Sequence, residues 1–348
     1  MSSDQDIVLS AFDDLQGNHY VGAYNVSAQQ WLSRVKVARR YHSCGVRNIK
    51  KSSEVFRQFV FVARRPGNEV VLLDEVSKDV RLIQAPTGRH FYGHVAFDKH
   101  GQAWFTENDY QTGRALLVCR TGRYLDQVIS EIDLEGIGPH EIAFLEDGET
   151  AVVGLGGIET HPDFPRKKLN LDSMDSECLL VDTVNRRVIS RERPLDPQLS
   201  LRHLDTSDDQ LVIAAQYQGP KYEQFPLVYI KDGASKLVPL SAPETVWRSM
   251  NQYIASVQIH SSKSEVLVTC PRSNSVHLFS LKSYEWLAQY RMSDPGGVTL
   301  DNNGRFVISS GAGKIVCLSS KNGALALERE WLVSDTRWDN HMDRVVFS

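Results

Sequence analysis

The last eight residues, "HMDRVVFS", repeat the first half of a motif and then stop. The motif is a polar or small lead-in, an apolar strand, a turn built on Asp, Asn or Gly, and a second β-rich strand. Its clearest copies are "GHVAFDKHGQAWFTEN", "PHEIAFLEDGETAVVGLGG" and "GGVTLDNNGRFVISSGAG"; "RHLDTSDDQLVIAAQY" and "ASVQIHSSKSEVLVTC" are looser, and "HSCGVRNIKKSSEVFRQFVFVARRPG" has a longer first turn. The lead-ins fall at His42, His94, His140, His203, Ser256, Gly297 and His341, at intervals of 52, 46, 63, 53, 41 and 44 residues. Four-stranded propeller blades recur every ~40–50 residues. The insert "IETHPDFPRKKLNLDSMD" accounts for the longest interval.

Two further strands follow each pair, as in "ALLVCRT" and "YLDQVISEIDL". The half motif at the end then finds its missing strands at the start, in "DIVLSAF", "HYVGAYN" and "WLSRVKV". The expected fold is all-β, a seven-bladed β-propeller of four-stranded blades forming one domain over residues 1–348. Its last blade combines N-terminal strands with the C-terminal one, which removes the open sheet edge. A β-helix or two sandwiches would leave the final strand unpaired.

Composition is that of an ordinary globular chain, with 41% hydrophobic and 24% charged residues and a net charge of −4. No basic footprint for nucleic acid is present. No apolar run approaches the ~20 residues of a membrane span. The start, "MSSDQDIVLSAF", lacks a basic or apolar leader, so an exported protein would have had its signal removed; a cytoplasmic location is the other reading. The five cysteines show no metal or disulfide spacing, and Cys119, Cys178 and Cys317 sit inside apolar runs, as buried small hydrophobes do. A monomer is expected.

In a propeller the lead-ins share a face with the loops between the second and third strands. Both places are rich in ligand-like side chains. His42, His94, His140, His203 and His341 mark the inner edge of five blades, and neutral imidazole is the commonest ligand for Zn, Cu and Fe. They are the expected metal ligands, with Glu107 beside them. Arg64, Asn108, Tyr110, His161, Arg166, Arg248 and Arg272 are the expected contacts for the rest of a ligand. Structural histidines that cap their blades are the competing reading. One feature counts against a symmetric cage. Apolar residues follow His140 at Ile142 and Phe144 but follow His94 at Val95 and Phe97, one residue out of phase, so the two rings are expected to point apart, with Glu141 able to replace one of them. "GLGG" and "GAGK" lack the helix that a nucleotide loop requires.

The stretches "FVARRPG", "GRHFYGHVAFD", "TENDYQTGRA", "GIGPHEIAFLEDG", "GGIETHPDFPRKKLNLDSM", "QYQGP" and "WRSMNQYIASV" resemble, in order and over nearly the whole chain, a bacterial family of exported propellers known as domain of unknown function 1513. The resemblance implies a seven-bladed propeller and a periplasmic home reached by twin-arginine export. Its members' neighbourhood to imelysin-type iron-uptake genes implies a link to iron handling, with imelysin-like or haem-containing periplasmic proteins as partners. It carries over no catalytic residues. The expected function is thus a periplasmic protein that holds a transition metal (iron, copper or zinc) or a metal complex at the funnel, with affinity falling below pH ~6 as imidazoles protonate. The rivals are a hydrolase or oxidoreductase with His and Glu107 as acid and base, and a scaffold for an iron-uptake system.

Overall fold

The computed structural model describes residues 5–51, 54–164 and 167–346. Seven four-stranded antiparallel sheets stand around one axis. The inner strands are Tyr41–Lys51, Arg89–Phe97, Pro139–Phe144, Leu199–Ser207, Ser256–His260, Pro295–Leu300 and Arg337–Arg344, heading blades 1 to 7. Blade 7 is composite. Arg337–Arg344 pairs with Ile7–Asp13, and His19–Asn25 and Gln30–Val37 complete the sheet. The seven blades, the four strands in each and the closure by both ends of the chain agree with the sequence reading. The long interval is also where expected: residues 156–176 link Thr150–Leu155 to Glu177–Asp182.

The burial of each strand follows from its place in the blade. Second and third strands lie between neighbouring blades and are buried along almost their whole length, as in Ala103–Asp109 and Ala115–Thr121. Outermost strands meet water on one face and alternate, as in Ala324–Leu332. The core is a set of clusters between blades. Leu9 and Ala11 of blade 7 pack with Phe59 and Phe61 of blade 1, while Val8 and Tyr24 pack with Val307 and Ile315 of blade 6. The composite blade is therefore sealed on both sides. All five cysteines are free and buried. Among the described residues no helix is long and apolar enough to cross a membrane. One short helix, Glu244–Ser249, precedes blade 5.

The inner strands share a local irregularity. Register with the second strand breaks between Tyr41 and Cys44, Phe91 and Val95, Pro139 and Ile142, and Leu201 and His203, and opposite His341 in blade 7. Each of these breaks coincides with a lead-in histidine; one more, in blade 6, falls between Pro295 and Val298 at the Gly297 lead-in. A bulge inserts an extra residue and re-aims the side chain there. Blade 5, whose lead-in is Ser256, pairs without a break. In blade 2 the bulge contains Gly93 at a φ of 104°. A Cβ there would lie 3.1 Å from the His42 ring, so glycine provides both the left-handed turn and the space.

Candidate functional site

The bulges gather five imidazoles on the axis. Ring centroids are 4.4 Å apart for His42–His341, 4.6 Å for His94–His140, 4.8 Å for His94–His341 and 4.9 Å for both His140–His203 and His203–His341. All five residues are buried. The expected divergence of His94 from His140 does not occur, because the register breaks at both positions cancel the difference in phase. Glu141 does not replace an imidazole but joins them. Its carboxylate lies 3.2 Å from His203 Nδ1, 3.6 Å from His94 Nδ1 and 3.8 Å from His341 Nδ1, and it accepts the Leu204 N–H at 3.0 Å. His42 Nδ1 is held separately, 2.9 Å from Asp339, which also accepts from Arg64 at 3.1 Å.

These carboxylates set the chemistry of the rings. An imidazole whose Nδ1 faces a carboxylate offers Nε2 as its free donor. The Nε2 atoms of His94 and His341, and Nδ1 of His140, are buried without a hydrogen-bond partner among the described residues. Burial, with the neighbouring rings adding repulsion, holds His42 and His140 well below the ordinary imidazole range. Burial does the same to His341, against the pull of Glu141. Burial works to raise the Glu141 carboxyl, but His94 and His341 hold it well below the usual carboxylate range. The ligand atoms of His42, His94 and His140 all lie within 4.8 Å of one another, as do those of His94, His203 and His341. His94 belongs to both trios.

The belt of rings separates two chambers. The upper one, about 710 Å³, opens on the face that carries the lead-ins; His42, His140 and His203 form its floor, and Arg40, Arg64, Arg65, Lys168, Arg202 and Arg272 line it. The lower one, about 380 Å³, is bounded by Glu141, His94 and His341 and by the next residues along the inner strands, including Asp205 and Asp343. Burial pushes both of those carboxyls up to about 7. The axis is therefore cationic above the histidines and carboxylic below them.

The remaining expected residues divide into those at the mouth and those away from it. Arg64 and Arg272 line the upper chamber. Glu107 does not join the imidazoles. It shares a strand face with Phe105, which packs against Val60 and Val62 of blade 1, and its fully buried carboxylate pairs with Arg120 at 2.9 Å. Tyr110 rests on His90, centroids 4.3 Å apart, with His161 6.2 Å away, and Asn108 donates to the Asp109 carbonyl; none of the three lines the chamber. Arg248 pairs with Glu244 on the exposed helix at 2.5 Å. Arg166 lies outside the described residues. Asp339 and Arg65 escaped the sequence reading. For Arg65 the signal was present in "ARRPG", at the same loop as Arg64.

The fold has wide structural company. A chain of the Kuenenia stuttgartiensis hydrazine synthase superposes with a TM-score of 0.60 at 14% identity, covering 92% of each chain. A chain of a mitotic checkpoint complex does so at 0.59 and 11%, over 94% of this chain and 84% of that one. A Bacteroides caccae protein of unknown function gives 0.50 at 10%, over 98% and 99%. Likeness at these identities shows the propeller and nothing finer. No curated protein matches the chain. Residues 35–345 match the family described as "Protein of unknown function (DUF1513)", and with its repeats and closed ring the chain belongs to that family.

Proposed function

We propose that the protein binds a transition metal ion on its axis, through imidazoles of the belt, with Glu141 and Asp339 as the carboxylates that orient them. The carrying observation is the pair of overlapping buried trios whose ligand atoms come within 4.8 Å, with ring nitrogens of His94, His140 and His341 that have no hydrogen-bond partner among the described residues. A buried polar atom left unpaired costs ~1–3 kcal/mol, so three of them in one place are a disfavoured arrangement for purely structural histidines. Nitrogen donors with an outer carboxylate suit zinc, copper or iron, with manganese the weakest of the series. The periplasmic location, the link to iron handling and an imelysin-like or haem-containing partner belong to the same proposal, and the family resemblance supports them.

Calorimetry on chelator-treated protein with Zn(II), Cu(II), Fe(II) and Mn(II) tests the reading. One ion per chain is expected, with a micromolar or tighter Kd for at least one imidazole-preferring metal. His94→Ala removes a member of both trios and is expected to abolish measurable binding. Glu141→Gln is expected to weaken it about 10- to 100-fold. Binding weaker than micromolar for every ion, together with no metal in natively purified protein, ends the proposal.

A further inference from the structure

The upper chamber contains positive charge that the metal reading does not use. Arg40 is satisfied by Asp13, and Arg64 by Asp339. Arg39 is held by the Asn68 side-chain oxygen and the Pro66 carbonyl. Four further cations reach the chamber with no carboxylate in contact among the described residues: Arg65, Lys168, Arg202 and Arg272, contributed by blades 1, 3, 4 and 5. Arg202 is 7% exposed, and the hydrogen bond of its guanidinium is from Nε to Ser200 Oγ at 3.1 Å. Among the described residues one of its five donors is engaged, and an anion in the chamber would take up the others. Its neighbours worsen the repulsion. Burial, with Arg65 beside it, pulls the Arg202 guanidinium down to about 10. Lys168 is lowered by burial and by Arg202, Arg272 and Arg65 in turn.

The walls restrict what that anion can be. Each of the two tyrosine rings of the chamber carries an arginine. Arg65 lies 5.0 Å from the Tyr92 ring centroid and donates to the Tyr92 hydroxyl at 2.6 Å, and Arg272 lies 4.2 Å from the Tyr253 centroid. A volume of about 710 Å³ falls in the ~300–1,000 Å³ range of small-molecule sites and exceeds what one compact oxyanion fills. The cations stand on four separate blades, matching charges spread over several groups of one molecule.

We infer that the upper chamber is a receptor for a small polycarboxylate anion, held by Arg65, Lys168, Arg202 and Arg272 above the imidazole floor. This deepens the metal reading, because an arm of such an anion reaches His42, His140 and His203, but it does not require the ion. Binding would couple the two ligands, each raising affinity for the other by the same factor.

The test is calorimetry of chelator-treated protein at low ionic strength with citrate, acetate and inorganic phosphate as probes. Citrate is expected to bind with a submillimolar Kd, at least tenfold tighter than acetate and tighter than phosphate, and to weaken as salt rises. Arg272→Gln, at an exposed position, and Arg202→Gln are each expected to lower citrate affinity about 10- to 100-fold, the loss typical of a charge-assisted contact. If Arg202→Gln fails to fold, Arg272→Gln and Lys168→Gln decide. Equal affinity for acetate and citrate, tighter binding of phosphate, or citrate binding unchanged in those exposed variants overturns the inference. Because the protein is metal-free throughout, this result is read separately from the metal titration.

Discussion

His277 isolates at one residue what burial does throughout this molecule. It is fully buried in the third strand of blade 5, its Nε2 lies 3.0 Å from Ser275 Oγ, and burial lowers its pKa to about 4. The unfolded chain takes up a proton near pH 6.5 and the folded chain does not, so this residue's contribution to stability is complete above 6.5 and is lost as pH falls from there toward 4. Between pH 7.5 and 5 the loss is about 2 kcal/mol. His277→Asn is expected to remove that part of the pH dependence, measured by denaturant unfolding at the two pH values; an unchanged slope refutes the account. Asp205 and Asp343 act with the opposite sign. Their carboxyls, raised to about 7, favour the fold at low pH and lose that contribution as pH rises through 7.

At the scale of the strand, neighbouring blades are fixed to one another by polar hooks. Thr106 Oγ1 donates to the His140 carbonyl at 2.9 Å, Thr269 Oγ1 to the Gly296 carbonyl at 2.7 Å, and Gln216 Nε2 to the Ile254 carbonyl at 3.0 Å. In each, the second strand of one blade holds the lead-in of the next. Thr106→Val keeps the shape but leaves the His140 carbonyl without its hook. It is expected to cost about 1–3 kcal/mol in chemical denaturation and to weaken metal binding through misplacement of the His140 ring. Full metal affinity in that variant would show that the hook serves packing only. The strands themselves were legible in the sequence, because Asp, Asn and Gly turns punctuate alternating runs and the intervals match a blade. The specialised face was legible too, since lead-ins and second loops are rich in His and Arg. The aim of the rings was not. It depends on bulges, which are events of hydrogen-bond register that leave no mark in residue type, and a phase argument therefore set His94 against His140. Glu107 misled for a related reason: its polar surroundings suggested the axis, but parity with Phe105 turns it between blades. Asp339 was hidden by distance, since it meets His42 across 297 positions of sequence.

The whole ring depends on one seam. Arg337–Arg344 supplies the inner strand of blade 7, where Trp338 and Met342 are buried against Val8 and Tyr24, and Ser10 Oγ donates to the His341 carbonyl at 2.7 Å. Removing residues 337–348 exposes the edge of Ile7–Asp13 and opens the core on both sides of it. The truncated chain is expected to lose cooperative unfolding and to aggregate, as read by thermal melting and size-exclusion chromatography; a monomer with a native-like transition would contradict the seam's role. That same strand brings the fifth imidazole. At Gly297 of blade 6 a Cβ would fall 2.5 Å from the Met342 nitrogen, so the seam lies directly against its neighbour and leaves no slack. During synthesis Ile7–Asp13 leaves the ribosome long before His341 exists. A nascent chain therefore never presents all five imidazoles, and the belt of rings is complete only once translation has passed the closing strand.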